Sequence, residues 1–333
     1  MRLGVRILGG VVFVALLAAI GWQISQVDGL NKQLQQARAE QTQVAATLQA
    51  NRAELNAAQT QANTLTTRAA ELQSQLQTVR ATQVTTRTEN LSFVSDLDGT
   101  TQRYLLITPA SLAATRVPLV VYLHSMGNGA EEILKWRANQ ESLVAYLMRR
   151  EVIVACPAYR GDSWLNPAAT ADVTQMIRLL KNRFSISVII VAGYSMGGTA
   201  AVMYPLVAPP DIAVNGIVAA AFASDVIDLF SETKNAQVKE SLRVAYGGAP
   251  IEQSKVYEER ALLRNIIRFS AKIPVALYAS YSDSMIPPTQ QTRLRDALAA
   301  RGNPLLFAQI PGDHQVDSLD EGFAFVLNRV SAK

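Results

Sequence analysis

Residues 187–207 read SVIIVAGYSMGGTAAVMYPLV, and this stretch decides the fold. Its opening, SVIIVA, is almost wholly apolar and rich in β-branched side chains, the composition of a strand buried on both faces. Gly193-Tyr194-Ser195-Met196-Gly197 follows as a G-x-S-x-G turn, and TAAVMYPLV continues with helical character. Strand, turn and helix in that order form a nucleophile elbow. The sharp turn holds the serine backbone in a strained conformation, while small residues two before and two after let strand and helix approach closely. Ser195 is therefore the candidate nucleophile.

The pattern around the elbow repeats it. Short apolar runs predict strands at 103–107 (RYLLI), 118–123 (PLVVYL), 152–156 (VIVAC), 216–222 (GIVAAAF), 273–279 (IPVALYA) and 305–310 (LLFAQI), besides 187–192. Helical periodicity fills 138–150, 170–184, 197–208, 288–301 and 317–330. Continuous apolar strands separated by helices predict a doubly wound α/β domain with a mostly parallel sheet covered on both faces. Active sites in such sheets lie beyond the carboxyl ends of the strands.

A serine hydroxyl is a weak nucleophile and needs a base beside it. The chain holds two histidines, His124 and His314. Triad partners follow an elbow serine in the order acid, then histidine. His314, in Pro311-Gly312-Asp313-His314 after the last strand, fits as base. His124 precedes the elbow and suits a supporting role in the turn it opens. Asp283 directly follows IPVALYA and precedes the helix beginning at Pro287-Pro288, which puts it on a carboxyl-end loop, where it would hold the imidazole tautomer. Asp225, after GIVAAAF, is the alternative acid; Asp313 and Asp317 stand too close to His314. The oxyanion formed on attack needs two donors. One is the backbone N–H of Met196; the other comes from the turn after His124, at Met126 or Ser125, with Met126 preferred.

With PLVVYLHSMGN, PAYRGDSW, VAGYSMGG, KIPVALYASYSDSMIPPTQQTRLRDALAARG and PGDH, the sequence over about 100–330 resembles the α/β-hydrolase superfamily, in its prolyl-oligopeptidase-like and dienelactone-hydrolase-like branch of esterases and peptidases. The resemblance implies the α/β-hydrolase fold, a triad at Ser195, Asp283 and His314, and an oxyanion hole at Met196 and Met126. Three positions depart from the family's pattern. Ser125 replaces the usual glycine after the turn histidine, Ser280 replaces the glycine three before the acid, and Gln315 follows the base where glycine is common. These departures leave open a catalytically idle binding module of the same fold. Prolyl oligopeptidases carry a propeller before the hydrolase domain. Here that place holds other elements, which favours an ester over a peptide substrate. Residues 224–270 read as a helical insertion that could cap the site, and caps and loops set specificity.

Those other elements fill residues 1–90. Residues 7–27 carry no charge and follow Arg2 and Arg6, so the span is long enough for a ~30 Å hydrocarbon core. It reads as a membrane anchor, with a cleaved signal peptide as the alternative. Positive charge before the span places the N-terminus in the cytoplasm and the hydrolase domain outside. Residues 28–90 read as a coiled-coil stalk, because no glycine or proline interrupts 30–98 and a four-three spacing links Val27, Leu30, Leu34, Ala37, Gln41, Val44, Leu48, Asn51, Leu55, Ala58, Ala62, Leu65, Ala69, Leu72, Leu76 and Val79. Fourteen of the sixteen are apolar, which predicts a parallel homo-oligomer. About 50 residues of helix would act as a spacer on the order of 80 Å long. The threonine-rich TQVTTRTEN (82–90) reads as the joint, and the hydrolase domain as 91–333.

Composition excludes other classes. With 49% hydrophobic residues the chain is not disordered, and the lone Cys156 rules out a disulfide scaffold. Two histidines and one thiol lack the nitrogen and sulfur donors of a zinc site, so no metal or cofactor is implied. The net charge of +4 sits mostly in the first 90 residues, with eight Arg/Lys against five Asp/Glu; the remainder has 23 against 22. That balance leaves no basic footprint for nucleic acid. The expected partner is a small ester or peptide substrate.

Overall fold

The computed structural model describes residues 2–81, 86–112, 115–138 and 141–330, except for the side chains of 2–15, 18–19 and 75–81. The chain divides into two units, the helix through Gln75 and everything from Leu76 onward. Helix α1 runs over Arg2–Ala81. Most of the uncharged 7–27 run expected to cross a membrane lies outside the residues whose side chains are described. Among the described residues no helix is long and apolar enough to cross one.

The second unit is built on an eight-stranded sheet. Its strands are β1 (Thr86–Val94), β2 (Thr101–Pro109), β3 (Val117–Leu123), β4 (Ile153–Pro157), β5 (Ile186–Tyr194), β6 (Gly216–Ala220), β7 (Val275–Ser280) and β8 (Leu305–Ile310), in the spatial order β1-β2-β4-β3-β5-β6-β7-β8. β2 alone runs against the others. After β3 the chain adds β4 on one side and β5 to β8 on the other, and apolar side chains cover both faces of the sheet. Successive residues of β3 show it. Leu119, Val121 and Leu123 enter one apolar cluster with α3 (Pro167–Arg183) and α4 (Met196–Val207). Val120 and Tyr122 enter a second cluster with α2 (Leu143–Met148) and the helix Asp320–Val330. Buried side chains on both faces are why the central strands lack polar alternation.

The structure departs from expectation at three places. Residues 82–85 of the expected joint TQVTTRTEN lie outside the described residues, and the sheet begins before 91: residues 86–94 form edge strand β1, antiparallel to β2, with Thr86 opposite Pro109 and Val94 opposite Thr101. Only Leu91 and Phe93 of β1 pack on the core, while its other face is exposed and, up to Val94, polar, so the strand carries little apolar signal. Of the helix expected over 138–150, residues 139 and 140 lie outside the described residues and Leu143–Met148 is helical, with Ser142 as its N-cap. The strand expected over 216–222 stops at Ala220, where Ala221 takes a positive φ of 47°.

The register aligns the carboxyl ends. Leu123 is level with Gly193, Tyr194 with Ala220, and Ser280 with Ile310. The loops that carry His124, Ser195, Asp283 and His314 therefore leave the same edge.

Candidate active site

Ser195 sits between β5 and α4 with φ 56° and ψ −118°, a conformation that costs a non-glycine residue on the order of 1–3 kcal/mol and persists only when its surroundings enforce it. Its N–H donates to the Ala220 carbonyl at 2.8 Å, and its carbonyl accepts from the backbone N–H and the hydroxyl of Thr199 at 2.9 and 3.0 Å. The glycines make room. A Cβ on Gly193 would lie 2.4 Å from the Gly197 carbonyl carbon, and one on Gly197 would lie 1.9 Å from the Leu123 oxygen. The turn is thus as tight as its sequence predicts, with Ser195 itself only 6% exposed.

The hydroxyl of Ser195 lies 2.7 Å from His314 Nε2, and His314 Nδ1 lies 2.7 Å from Asp283 Oδ2. Asp283 is 6% exposed, and its Oδ1 accepts the backbone N–H groups of Met285 and Ile286 at 3.0 and 2.8 Å. These bonds fix the carboxylate so that Oδ2 faces the imidazole. The base loop is fixed as firmly. Asp313 accepts from the backbone N–H groups of His314 and Ser284 and from the Ser284 hydroxyl, at 2.6 to 2.8 Å, so it ties the base loop to the acid loop. The bond from the Ser284 N–H, first among these contacts, holds the Asp313 carboxyl below its ordinary pKa. The Tyr194 hydroxyl donates to the His314 carbonyl, and the two rings lie 5.2 Å apart.

Two of the departures from the family's pattern meet each other. The Ser280 hydroxyl donates to the Gln315 carbonyl at 2.9 Å and accepts from the Gln315 N–H at 3.3 Å. A side chain thus joins the strand end before the acid to the residue after the base.

The third departure, Ser125, lies in the turn after β3. Its N–H donates to Glu132 Oε2 at 2.9 Å and its hydroxyl donates to Glu132 Oε1. Gly127, at φ 73°, donates its N–H to Asp162, and the Asn128 N–H bonds the Ser125 carbonyl. Of the N–H groups at 125–128, only that of Met126 has no acceptor among the described residues. Ser125, the other donor considered from sequence, is engaged elsewhere. Met196 opens α4, where first-turn N–H groups have no acceptor within the helix. His124 is buried in the wall of the turn, its ring nitrogens 2.9 and 3.1 Å from the Ser125 and Ala158 carbonyls, and its own carbonyl accepts from Tyr159.

The alternative acid is placed otherwise. Asp225 caps α5 (Val226–Glu232), accepting from the N–H groups of Ile227 and Asp228, and pairs with Arg264 at 3.0 Å. Burial raises its pKa. Asp317 is exposed. The insertion at 224–270 folds as α5, α6 (Ala236–Tyr246) and α7 (Ser254–Arg260). It is bound to the loop after β4, where the Trp164 indole donates to Ser241, Tyr246 donates to the Trp164 carbonyl, and the buried Arg260 donates to the Leu165 carbonyl at 2.7 Å. Thr233 donates to the Met285 carbonyl, two residues past Asp283.

Sequence reasoning missed Glu132, Tyr159 and the hydroxyl of Tyr194. Glu132 sits in AEEILK, which reads as an exposed helical turn; only the fold shows that the carboxylate turns inward. Among the described residues, no cluster of three or more His, Cys, Asp or Glu side chains could hold a metal ion.

A strained elbow serine, hydrogen-bonded to a histidine that is itself bonded to a buried aspartate at the carboxyl edge of this sheet, defines a serine hydrolase of the α/β-hydrolase fold. Its own sequence carries the assignment further. The chain belongs to the prolyl oligopeptidase family, which it matches over residues 139–320. Among similar solved structures is S-formylglutathione hydrolase from Staphylococcus aureus, at 15% identity and a TM-score of 0.57, covering 74% of this chain and 99% of that one. Pyrococcus horikoshii acylaminoacyl peptidase matches at 14% identity and 0.55, covering 75% of this chain and 42% of the other. A Mycobacterium tuberculosis puromycin-hydrolysing peptidase matches at 20% identity and 0.54, with 75% and 38% covered. These likenesses concern the fold. No curated protein sequence matches the chain.

Proposed function

We propose that the protein is a carboxylic ester hydrolase working through a Ser195 acyl-enzyme. The observation that carries the reading is the continuous contact from Ser195 Oγ to His314 to Asp283, both links at 2.7 Å. His314 Nε2 takes the hydroxyl proton as Oγ bonds to the ester carbonyl carbon. The carbonyl oxygen becomes an oxyanion, held by the N–H groups of Met196 and Met126, while Asp283 stabilises the imidazolium. Collapse breaks the bond to the alcohol, which leaves with the proton from Nε2. Water then attacks the acyl-enzyme by the same steps and releases the acid. The ester reading is supported by the similar folds of an S-formylglutathione hydrolase and a ferulic acid esterase.

A second reading, serine peptidase, is favoured by the family match. Hydrolysis of p-nitrophenyl acetate and butyrate, set beside dipeptide p-nitroanilides including proline at the cleaved position, separates the two. Ester turnover that disappears in His314→Ala supports the first. Anilide turnover exceeding ester turnover sinks it.

We further propose that residues 7–27 anchor the chain in the cell membrane with its N-terminus in the cytoplasm, and that α1 makes it a parallel homo-oligomer. The support for assembly is an unpartnered apolar stripe: Leu30, Leu34, Val44, Leu48, Leu55, Leu65 and Leu72 are all at least half exposed on the lone helix, Leu55 at 67%. Pairing would bury it, at about 25 cal/mol per Å² of apolar surface. Gln41 and Asn51 would set register within the seam.

A further inference from the structure

We propose that Glu132 is the positioning residue of the oxyanion turn: its buried carboxylate holds Ser125 so that the Met126 N–H is the one left facing the reacting carbonyl. This rests on the serine-hydrolase mechanism above and concerns a residue that touches neither substrate nor triad.

Glu132 lies in the 3-10 turn Ala130–Lys135 and is 6% exposed. Three donors meet it. The Tyr122 hydroxyl from β3 reaches Oε2 at 3.0 Å, the Ser125 N–H reaches Oε2 at 2.9 Å, and the Ser125 hydroxyl reaches Oε1. A chain of bonds continues outward, from Lys135 Nζ to Asn128 Oδ1 at 3.0 Å and from Asn128 Nδ2 to Ser125 Oγ at 2.9 Å. A buried carboxylate must have its oxygens satisfied, and here two of the three donors come from a single residue of the turn.

The consequence is geometric. Consecutive peptide N–H groups cannot all aim the same way in so tight a turn. Once Ser125 N–H is bonded inward to Glu132 and Gly127 N–H is bonded to Asp162, the peptide between them is fixed, and its N–H is the free one. A glycine at 125 would leave the carboxylate with only the backbone donor and Tyr122. Ser125 is therefore matched to Glu132, which accounts for its departure from the family's pattern. The same 3-10 turn leads to Trp136, whose ring packs edge-on at 5.2 Å against Tyr194, the residue bonded to the His314 carbonyl. The oxyanion turn and the base loop thus share one wall.

The test uses the full chain, Glu132→Ala and Glu132→Gln, with p-nitrophenyl butyrate as substrate. Active sites are counted by fluorophosphonate titration, and inhibition is measured with butylboronic acid, whose tetrahedral adduct on Ser195 places an oxygen where the oxyanion forms. Losing an aligned oxyanion donor costs about 10²–10³ in kcat, and a misaligned one somewhat less. For Glu132→Ala the expectation is a loss of about tenfold to hundredfold in kcat per titrated site, a KM within about threefold, and a boronate Ki that rises in step with the fall in kcat/KM. Glu132→Gln keeps one acceptor oxygen and is expected to lose at least about threefold and less than the alanine variant. It also decides the matter if the alanine variant does not fold. A role in stability alone would lower the titrated fraction and leave turnover per site unchanged. Unchanged turnover per site, or an unchanged boronate Ki in a variant that titrates fully, overturns the inference while the wild type still labels and turns over. A wild type that takes no label overturns the proposed function and this inference with it.

Discussion

Replacing Asp283 with asparagine changes one atom and should remove nearly all turnover. In the native protein Oδ1 accepts two backbone N–H groups, from Met285 and Ile286, and Oδ2 accepts the proton on His314 Nδ1. An asparagine must keep its oxygen toward the two N–H groups, because turning it would leave two buried donors facing an NH2, at about 1–3 kcal/mol for each unsatisfied group. The NH2 then faces His314 Nδ1 and selects the tautomer protonated at Nε2. That nitrogen is the one 2.7 Å from Ser195 Oγ, so the base is lost while the fold remains. The expected fall in kcat is on the order of 10⁴, equivalent to about 5 kcal/mol of transition-state stabilisation. Ester hydrolysis is followed across pH 5–9 together with thermal melting. A melting temperature near that of the wild type with turnover lost supports the geometry. Turnover within tenfold of wild type at neutral pH would show that Asp283 does not orient the base.

Other expectations follow from single contacts. Gly197→Ala would place a Cβ 1.9 Å from the Leu123 carbonyl oxygen, so this variant should be insoluble or take no fluorophosphonate label; normal labelling and melting would show that the elbow is looser than described. Asp225→Ala removes a helix cap and should cost about 1–2 kcal/mol in urea unfolding with full labelling retained, whereas lost labelling would make Asp225 the acid. Asp313 has a carboxyl pKa held below its ordinary value in the folded state, so its stabilisation is present above about pH 4 and is lost as pH falls through the folded-state value. The gap in melting temperature between wild type and Asp313→Asn should therefore close below about pH 4; a gap constant from pH 7 to 3 would contradict it. For assembly, light scattering of chains spanning 28–333 and 76–333 should give an oligomer and a monomer; two monomers at tens of micromolar would leave α1 without a pairing role. The shorter chain must begin before Thr86, since a start at 91 would cut β1 in two.

The elbow was legible because its chemistry is local. Strand, three close glycines and helix are contiguous in sequence, while the atoms that demand the glycines are Gly197 C within the turn and the carbonyl oxygens of Leu123 and Ala220 on the neighbouring strands. His314 and Asp283 were legible through order and position after strands, and the structure brings both to Ser195. The edge strand β1 was not, because an edge strand with one solvated face is written in threonine, arginine and glutamate, which also read as a linker. Glu132 was invisible for a related reason: a glutamate beside another glutamate in AEEILK has the pattern of a solvated turn, and its burial depends on Tyr122 and Ser125, ten and seven residues away in sequence. The compensating pair Ser280 and Gln315 lies 35 residues apart, so each looks like an isolated departure until the register of β7 and β8 sets them side by side.

The most direct test of the central claim is covalent labelling of the full chain by a fluorophosphonate, with the modified residue located by peptide mass spectrometry. The proposed mechanism predicts one label per chain, on Ser195, lost in Ser195→Ala and strongly slowed in His314→Ala. Absence of labelling in the folded wild type, or equal labelling of Ser195→Ala, would contradict it.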